Sequence, residues 1–198
     1  MRYEHWKKRY ALFQDEPVSA PENAFLFLGD SITEEFPLNK FFPGWPTVNR
    51  GIKGDHIDGV IERIDISAIK LKPRCLFLMI GINDIGDRRS NAYMKNQYEK
   101  LFSLLLSELK KTQIFIQSLL PVGIERGLNA LKQVKEINSY LFAYSHAHNL
   151  NFIELFNKYT GTNGFLDPKF SEDGLHLNQD GYGIWAQILL NIIHTDNK

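Results

Sequence analysis

The sequence predicts one three-layer α/β/α domain over residues 1–198, with a five-stranded parallel sheet of flavodoxin-like type. Short apolar runs alternate with segments of helical periodicity, which is typical of βαβ units with right-handed crossovers. The run at 75–80 is apolar throughout, as expected for a strand buried on both faces. With 43% hydrophobic residues among 198, the chain can fill one core but is short for two.

Residues 1–15 predict an amphipathic helix packed on this domain. Aromatic side chains recur there at spacings of three and four, which places them on one helical face. They are Tyr3, Trp6, Tyr10 and Phe13. The same face would also serve as the interface of a homodimer, so both interpretations stay open. Residues 17–22 are polar and contain proline, and they predict a linker into the first strand.

The first strand, at 25–28, stops at Gly29 and is followed by Asp30 and Ser31. We interpret this stretch as a strand, a tight turn and the start of a helix. A hydroxyl there would lie at the carboxyl end of a strand, where open α/β sheets bind ligands, and near the positive end of a helix dipole. Ser31 is therefore a candidate nucleophile, although glycine, aspartate and serine are also ordinary turn and capping residues.

Two further strand ends carry residues suited to binding an oxyanion. The turn at 49–55 includes Gly54, whose backbone N–H can face a ligand because no side chain intervenes. The third strand is followed by Asn83, which supplies a neutral side-chain donor. The aromatic segment 36–46, before a second strand at 47–49, either lines an acyl pocket or caps the core, and both alternatives stay open.

The second half of the chain is predicted to complete the sheet. Ser90 is expected to cap a long helix, a fourth strand follows at 112–119, and a fifth lies at 151–155. One helix separates these last two strands, and another closes the chain. The apolar faces of the three helices contain Met94, Tyr98, Leu101, Phe102, Leu105 and Leu109, then Leu131, Val134, Ile137, Leu141 and Tyr144, then Tyr182, Trp185, Ile188, Leu189, Ile192 and Ile193.

The last block places Asp173 three residues before His176, after an irregular stretch at 157–170. The carboxylate can reach the imidazole Nδ1 across one turn, which leaves Nε2 free to accept a proton from Ser31. The candidate triad therefore has the chain order Ser, Asp, His.

The other five histidines are weaker candidates for the base. His5 and His194 lie in predicted terminal helices, away from the strand ends. His146 and His148 are two residues apart on a predicted helix, so they point to different sides and form a poor metal pair. His56 lies beside the glycine turn but has no clear orienting acid at a position comparable to that of Asp173.

Composition narrows the class of substrate and the cellular setting. Lysine plus arginine equals aspartate plus glutamate, at 23 each, so no global field favours nucleic acid or an acidic membrane, and a small, weakly charged substrate is expected. The first residues lack the apolar core of a signal peptide and no run is long enough to span a bilayer, which predicts a cytoplasmic protein. Cys75 is the one cysteine, so no intramolecular disulfide can form, and its apolar surroundings predict a buried structural thiol.

Four blocks of the sequence together resemble the SGNH hydrolase superfamily, also called GDSL esterases and lipases. The blocks are Gly29-Asp30-Ser31, Gly54 before Asp55, Gly81-Ile82-Asn83-Asp84 and Asp173-Gly174-Leu175-His176, in the expected order. Within the superfamily, the chain is most similar to the platelet-activating-factor acetylhydrolase alpha subunits and their small bacterial relatives. The N-terminal aromatic helix, the 51–55 turn and the 175–182 ending carry this similarity. Lys53 departs from it, because those relatives usually have a small residue there.

The resemblance implies a serine ester hydrolase that needs neither a metal nor a cofactor. Ser31 would be the nucleophile, His176 the general base and then acid, and Asp173 the group that orients His176. The oxyanion hole would consist of the backbone N–H groups of Ser31 and Gly54 and the side-chain amide of Asn83. An acyl-enzyme would form, and water would hydrolyse it.

Three functions remain to be distinguished. The leading hypothesis is hydrolysis of short-acyl, chiefly acetyl, esters of a carbohydrate or another small alcohol. A lysophospholipase or thioesterase would use the same site but would need an open apolar trough for a long acyl chain. A catalytically silent binding domain would keep the fold without turnover, although every proposed catalytic position carries a competent residue.

Overall fold

The computed structural model describes residues 2–15 and 23–195, and the predicted linker at 17–22 lies outside the described residues. Its strands are β1 Phe25–Gly29, β2 Thr47–Gly51, β3 Cys75–Met79, β4 Gln113–Gln117 and β5 Asn151–Ile153. All five are parallel, and they follow the order β2-β1-β3-β4-β5. This is the flavodoxin-like order, so the predicted fold is confirmed.

Helices connect and cover the strands. In the described ranges they are α1 Arg2–Asp15, α2 Ser31–Glu34, α3 Leu38–Phe41, α4 Ile57–Ile64, α5 Ile82–Gly86, α6 Asn91–Glu108, α7 Gly127–Ala147, α8 Phe156–Tyr159 and α9 Gln179–Thr195. A π-helical turn at Asp65–Ile69 continues α4, and 3-10 turns lie at Ile124–Arg126 and Pro168–Phe170. Ser90 caps α6 as predicted, because its hydroxyl accepts a hydrogen bond from the Tyr93 backbone N–H at 3.2 Å.

The sheet is buried on both faces because its central strands have no polar side. Phe27, Phe77 and Phe115 are register partners on β1, β3 and β4, and neighbouring rings stack with centroids 5.1 and 4.8 Å apart. Leu26 and Leu76 precede two of them, point to the opposite face and are fully buried. Burial on both faces requires helices on both sides of the sheet, which explains the three layers.

The aromatic segment at 36–46 caps the core. Phe36 and Phe42 are buried, and Phe36 stacks on Trp185 of α9 with ring centroids 4.6 Å apart. Trp45 is half-buried and packs against the same hydrophobic cluster. Of the two alternatives left open by the sequence, the structure supports the capping role.

Helix α1 packs on the sheet domain through its aromatic face. Phe13 is buried, and the indole N–H of Trp6 donates to Asp55 Oδ1 at 3.0 Å. Arg9 donates to the carbonyl of Gly51, the last residue of β2, at 3.1 Å. These contacts account for Trp6 and Phe13 of the aromatic stripe within one chain, whereas Tyr3 is 66% exposed, and the homodimer stays a prediction.

Cys75 lies on β3, where its side chain is buried as predicted. Its thiol donates to the side-chain oxygen of Gln113 on β4, with the sulfur and oxygen 3.3 Å apart. Among the residues that the structure describes, no helix combines the length and the apolar character needed to cross a membrane.

The carboxyl ends of β1, β2 and β3 lie side by side. In the strand register, Gly29 is opposite both Gly51 and Met79. The three turns that follow therefore deliver the candidate nucleophile and the candidate oxyanion donors to one edge of the sheet.

Candidate active site

The nucleophile turn begins where β1 ends. Asp30 caps α2, because its side chain accepts a hydrogen bond from the Ile32 backbone N–H at 3.0 Å. A Cβ on Gly29 would lie 2.3 Å from the Met79 carbonyl oxygen, so this close approach of β1 to β3 requires glycine. Ser31 is the first residue of α2, as predicted, but α2 is a single turn and its dipole is correspondingly small.

Three side chains singled out from the sequence form one hydrogen-bonded chain at this edge. Ser31 Oγ lies 2.9 Å from His176 Nε2, and His176 Nδ1 lies 2.6 Å from Asp173 Oδ2. Ser31 and His176 are 145 positions apart in the sequence, so the fold brings them together. With Nδ1–H donated to the carboxylate, Nε2 becomes the acceptor for the serine hydroxyl, which is the arrangement of a general base.

The loop that carries His176 is organised by Asp173. Its Oδ1 accepts hydrogen bonds from the backbone N–H groups of Leu175 and His176 at 3.0 and 2.8 Å, and the Ser171 hydroxyl donates to the same oxygen at 3.3 Å. Burial opposes ionisation of Asp173, but hydrogen bonds from the imidazole and from these N–H groups outweigh it and lower its pKa to about 2. Asp173 is therefore a carboxylate at neutral pH.

The candidate oxyanion donors lie on the neighbouring turns. Gly54 has φ +79°, a left-handed conformation that favours glycine. Asn83 lies in the first turn of α5, and its Nδ2 donates to the Asp55 carbonyl at 2.9 Å. An amide nitrogen carries two hydrogens, so the second N–H of Asn83 Nδ2 can face a developing oxyanion. The Ile52 N–H donates to the Gly29 carbonyl at 3.1 Å, which connects the second turn to the first.

A buried ion pair lies beneath these turns. Arg63 on α4 is fully buried, and its Nε donates to Asp55 Oδ2 at 2.8 Å. Its other two nitrogens donate to the Ser67 hydroxyl and to the Gly29 carbonyl, each at 3.0 Å. The guanidinium is a fixed fork of donors, so it can hold three acceptors at once. Arg63 thus connects the last residue of β1 with the residue that follows Gly54.

Arg63 was not identified from the sequence, although a signal was present. It follows Val60 by three residues and so shares the buried face of α4 with Ile57 and Ile64. A cation on a core-facing stripe needs a buried partner, and Asp55 provides one.

Two buried carboxyl groups beside the candidate residues have raised pKa values. Burial is the largest cause for both. Burial raises the pKa of Asp30 to about 7, although a hydrogen bond from the Ile32 backbone N–H lowers it in part. Burial also raises the pKa of Asp84 to about 6, although the nearby charges of His56 and Arg89 lower it in part. Within the described ranges, the acidic, histidine and cysteine side chains form no group of three or more that is placed to hold a metal ion.

Two predictions about the other histidines are wrong. His56 does have an acidic partner, because its Nε2 lies 2.8 Å from Asp87 Oδ2. His5 is not remote from the strand ends, since its Nε2 lies 3.0 Å from the Glu34 carboxylate on α2. Both partners come from turns that fold back on each other, which no local pattern reveals. The histidine that contacts Ser31 is nevertheless the one in the last block.

The lysine that departs from the family pattern points to solvent. Lys53 Nζ lies 2.6 Å from Glu35 Oε1, and more than half of the lysine side chain is exposed. The hydrogen bond and charge of Glu35 raise the pKa of Lys53. Such exposed ion pairs contribute little stability.

A small cavity and a large one border the site. The small one has a volume of about 10 Å³, which holds roughly one water-sized group. It is lined by sequence neighbours of Ser31, Asn83 and His176 together with core residues, namely Asp30, Ile32, Met79, Ile82, Leu119, Leu120, Pro121 and Leu175. The large one is a groove of about 1170 Å³ that includes Asn83 in its wall and extends to the starts of α6 and α7.

Comparison with known proteins shows similarity in both sequence and fold. Residues 27–184 match the family model of the GDSL-like lipase/acylhydrolase family. No curated protein matches the sequence. A GDSL-like lipase from Bacteroides thetaiotaomicron VPI-5482 is 22% identical, with a TM-score of 0.83 over 98% of this chain and 99% of that chain.

Two other solved structures extend the comparison. A protein named after platelet activating factor from Streptococcus pneumonia is 27% identical, with a TM-score of 0.78 over 96% of this chain and 92% of that chain. A catalytic mutant of an acetylxylan esterase from Geobacillus stearothermophilus is 20% identical, with a TM-score of 0.68 over 85% of this chain and 93% of that chain. The segment matched by the family model spans most of the chain and contains all four sequence blocks. The chain therefore belongs to the GDSL-like lipase/acylhydrolase family and is a carboxylic ester hydrolase.

Proposed function

We propose that this hydrolase cleaves short-acyl esters, chiefly acetyl esters, through an acyl-enzyme formed on Ser31. The observation that carries the proposal is the continuous hydrogen-bonded chain from Ser31 through His176 to Asp173. A serine hydroxyl alone is a weak nucleophile, and a base held by an orienting carboxylate is what activates it.

The proposed reaction has two stages. Ser31 Oγ attacks the carbonyl carbon while His176 Nε2 takes the hydroxyl proton, and the carbonyl oxygen becomes an oxyanion. Collapse of this intermediate breaks the ester C–O bond, and His176 gives its proton to the leaving alcohol. Water then attacks the acyl-enzyme with His176 again as base, and the carboxylic acid leaves as Ser31 regains its proton.

Charge in the transition state is stabilised at two places in this proposal. The N–H groups of Ser31 and Gly54 and the side-chain amide of Asn83 would donate to the oxyanion, and each such donor is typically worth about a hundredfold or more in rate. Asp173 would stabilise the imidazolium of His176. The lowered pKa of Asp173 supports this role, because the group remains an anion at neutral pH.

A short acyl group is supported by the small cavity that Asp30 and Ile32, the sequence neighbours of Ser31, help to line. Its volume of about 10 Å³ suits a methyl-sized group, and a longer chain would have to displace packed side chains such as Leu119 and Leu120. The aromatic segment that a long-acyl hydrolase would need as an open trough is packed into the core instead. The similarity to an acetylxylan esterase agrees with a two-carbon acyl group.

The test is a series of p-nitrophenyl esters from acetate to palmitate, with wild-type protein, Ser31→Ala and Ser139→Ala. Ser139 is an exposed hydroxyl on α7 and provides the matched control. We expect kcat/KM to be highest for acetate, to fall at least about 10⁴-fold in Ser31→Ala, and to be unchanged in Ser139→Ala.

Each other outcome contradicts a specific part of the proposal. Faster hydrolysis of the long esters would favour the lysophospholipase or thioesterase alternative. Wild-type rates in Ser31→Ala would exclude Ser31 as the nucleophile. Failure of the wild-type protein to hydrolyse any ester of the series would overturn the general short-acyl activity.

A further inference from the structure

The large groove is continuous with the candidate site. Asn83, a candidate oxyanion donor, and Leu175, the neighbour of His176, both belong to its wall. Its volume of about 1170 Å³ exceeds the roughly 300–1,000 Å³ of ordinary small-molecule pockets. An acetyl group would occupy a small fraction of this space, which leaves room for the alcohol part of an ester.

Three cationic side chains in the groove have no partner among the residues that the structure describes. Arg88, Arg126 and Lys132 line the groove and are exposed. None of the three forms an ion pair or a side-chain hydrogen bond with another residue that the structure describes. Arg126 also immediately precedes α7, so the positive end of that helix dipole adds to the same field.

Nearby acidic groups do not cancel this charge. Arg89 also lines the groove, but it is paired with the carboxylates of Asp58 at 2.8 Å and Asp84 at 3.0 Å, which together exceed its charge by one. Glu136 is the carboxylate among the lining residues, and it accepts a hydrogen bond from Asn91. Four cations therefore stand against three carboxylates at the groove, which keeps a net positive charge.

A pocket of opposite charge also borders the site. It has a volume of about 220 Å³, and Glu125, Glu172 and Asp173 line it. Glu125 immediately precedes the groove residue Arg126 in sequence. Its carboxylate nevertheless packs over Gly123 and Gly174 in this acidic pocket. An anionic alcohol would be attracted to the basic groove and repelled from the acidic pocket.

We infer that the basic groove holds the alcohol part of the substrate and selects a hydroxyl-rich alcohol that carries a carboxylate or a phosphate. The inference rests on the proposed function, because it concerns the leaving group of the same site. Guanidinium groups bind both kinds of anion through paired hydrogen bonds. The amide of Asn129 in the groove suits hydroxyls, as does the side-chain oxygen of Gln133, whose nitrogen donates to the Arg89 carbonyl. The balanced charge of the whole chain predicted a weakly charged substrate. The net charge does not show that cations and anions are separated between the groove and the acidic pocket.

The experiment compares acetyl esters in pairs that differ by one anionic group. Methyl acetyl-glucuronide is paired with methyl acetyl-glucoside, and acetylglycerol 3-phosphate with acetylglycerol. We expect kcat/KM of the wild-type protein to be about tenfold higher for an anionic member at low salt. The preference should shrink as ionic strength rises, because the groove cations are exposed. A preference confined to one pair identifies the carboxylate or the phosphate as the recognised anion.

Two triple variants with the same change in charge test the groove directly. The triple variant Arg88→Gln, Arg126→Gln and Lys132→Gln should abolish the preference for the anionic member. The control variant Lys100→Gln, Lys110→Gln and Lys111→Gln removes three exposed cations from α6 and the segment before β4, and it should keep the preference. Circular dichroism checks that both variants are folded.

The outcomes separate this inference from the proposed function. Equal kcat/KM within both pairs, or an equal loss of preference in the two triple variants, would overturn the inference and leave the esterase activity standing. If the wild-type protein does not hydrolyse p-nitrophenyl acetate, the proposed function fails. Methyl glucuronide and glycerol 3-phosphate are then titrated calorimetrically into wild type and groove variant, and absence of groove-dependent binding would overturn the inference as well.

Discussion

The candidate site joins a buried half to an exposed half. Ser31 stands on a turn supported by the ion pair of Arg63 and Asp55, whose side chains are 0% and 2% exposed. Asp173 and His176 stand on a surface loop, and their side chains are 51% and 28% exposed. Each half contains a carboxylate within 3 Å of a nitrogen donor, but one pair lies in the protein interior and the other beside water.

The difference in surroundings decides what each pair does. In the interior, a charge that loses its partner is not solvated, so the loss costs several kcal/mol of stability. On the exposed loop, water replaces a lost partner, and the cost to stability is small. We therefore expect changes in the buried half to lower the stability of the fold, and changes in the exposed half to lower the rate with little effect on stability.

The largest expected effect on stability comes from Arg63→Met. The substitution leaves Asp55 buried without its cation and removes a donor from the Gly29 carbonyl. The free energy of unfolding should fall by about 3–5 kcal/mol, as measured by urea unfolding followed by circular dichroism.

A double variant sharpens this prediction. Adding Asp55→Asn to Arg63→Met removes the uncompensated charge, so part of the lost stability should return. A double variant that is less stable than Arg63→Met would show that the loss comes from packing around the guanidinium rather than from a stranded carboxylate. Wild-type stability in the single variant would show that this ion pair does not maintain the buried half.

In the exposed half, Asp173→Asn should reduce the rate by about 10²–10⁴-fold for p-nitrophenyl acetate. The variant lacks the charge that orients and stabilises the imidazolium of His176. Its side-chain oxygen can still accept the backbone N–H bonds of the loop, so the free energy of unfolding should change by less than about 1 kcal/mol. Asp180→Asn, an exposed substitution at the start of α9, is the control for both measurements. A loss of stability as large as that of Arg63→Met would erase the distinction between the halves.

What the sequence predicted well are features that depend on local periodicity. The central strands β1, β3 and β4 appeared as apolar runs, and the β1 turn was recognised because Gly29 interrupts such a run just before two polar residues. The exposed pair was also predictable, since Asp173 and His176 are three residues apart and meet across one turn. Alternation of strands and helices was enough to predict the parallel sheet.

The buried half was harder to predict because its contacts join distant segments. Arg63 reaches Gly29 across 34 positions, and Trp6 reaches Asp55 across 49. Such partners depend on how loops and helices pack, and loops have no repeating pattern from which that packing could be inferred. The same limitation explains why the acidic partner of His56 was missed.

The last expected effect concerns Asp30, which lies in the buried half next to the nucleophile. Burial raises its pKa to about 7, whereas an aspartate in an unfolded chain has a pKa near 3.9. Between these values the folded state binds more protons than the unfolded state, so stability falls as the pH rises through this window. One titrating group contributes at most about 1.4 kcal/mol per pH unit.

Asp30→Asn removes this titration and keeps an oxygen that can accept the Ile32 N–H bond. The stability of the variant relative to wild type should therefore increase steadily from about pH 4 to about pH 7, measured by urea unfolding at each pH. Asp180→Asn, at an exposed position, should follow the wild-type profile. If Asp30→Asn also follows that profile, Asp30 ionises in the folded protein as easily as an exposed carboxylate does. A carboxylate would then be as stable in the turn beside Ser31 as in the Asp173 loop. Burial would not explain the different behaviour of the two halves.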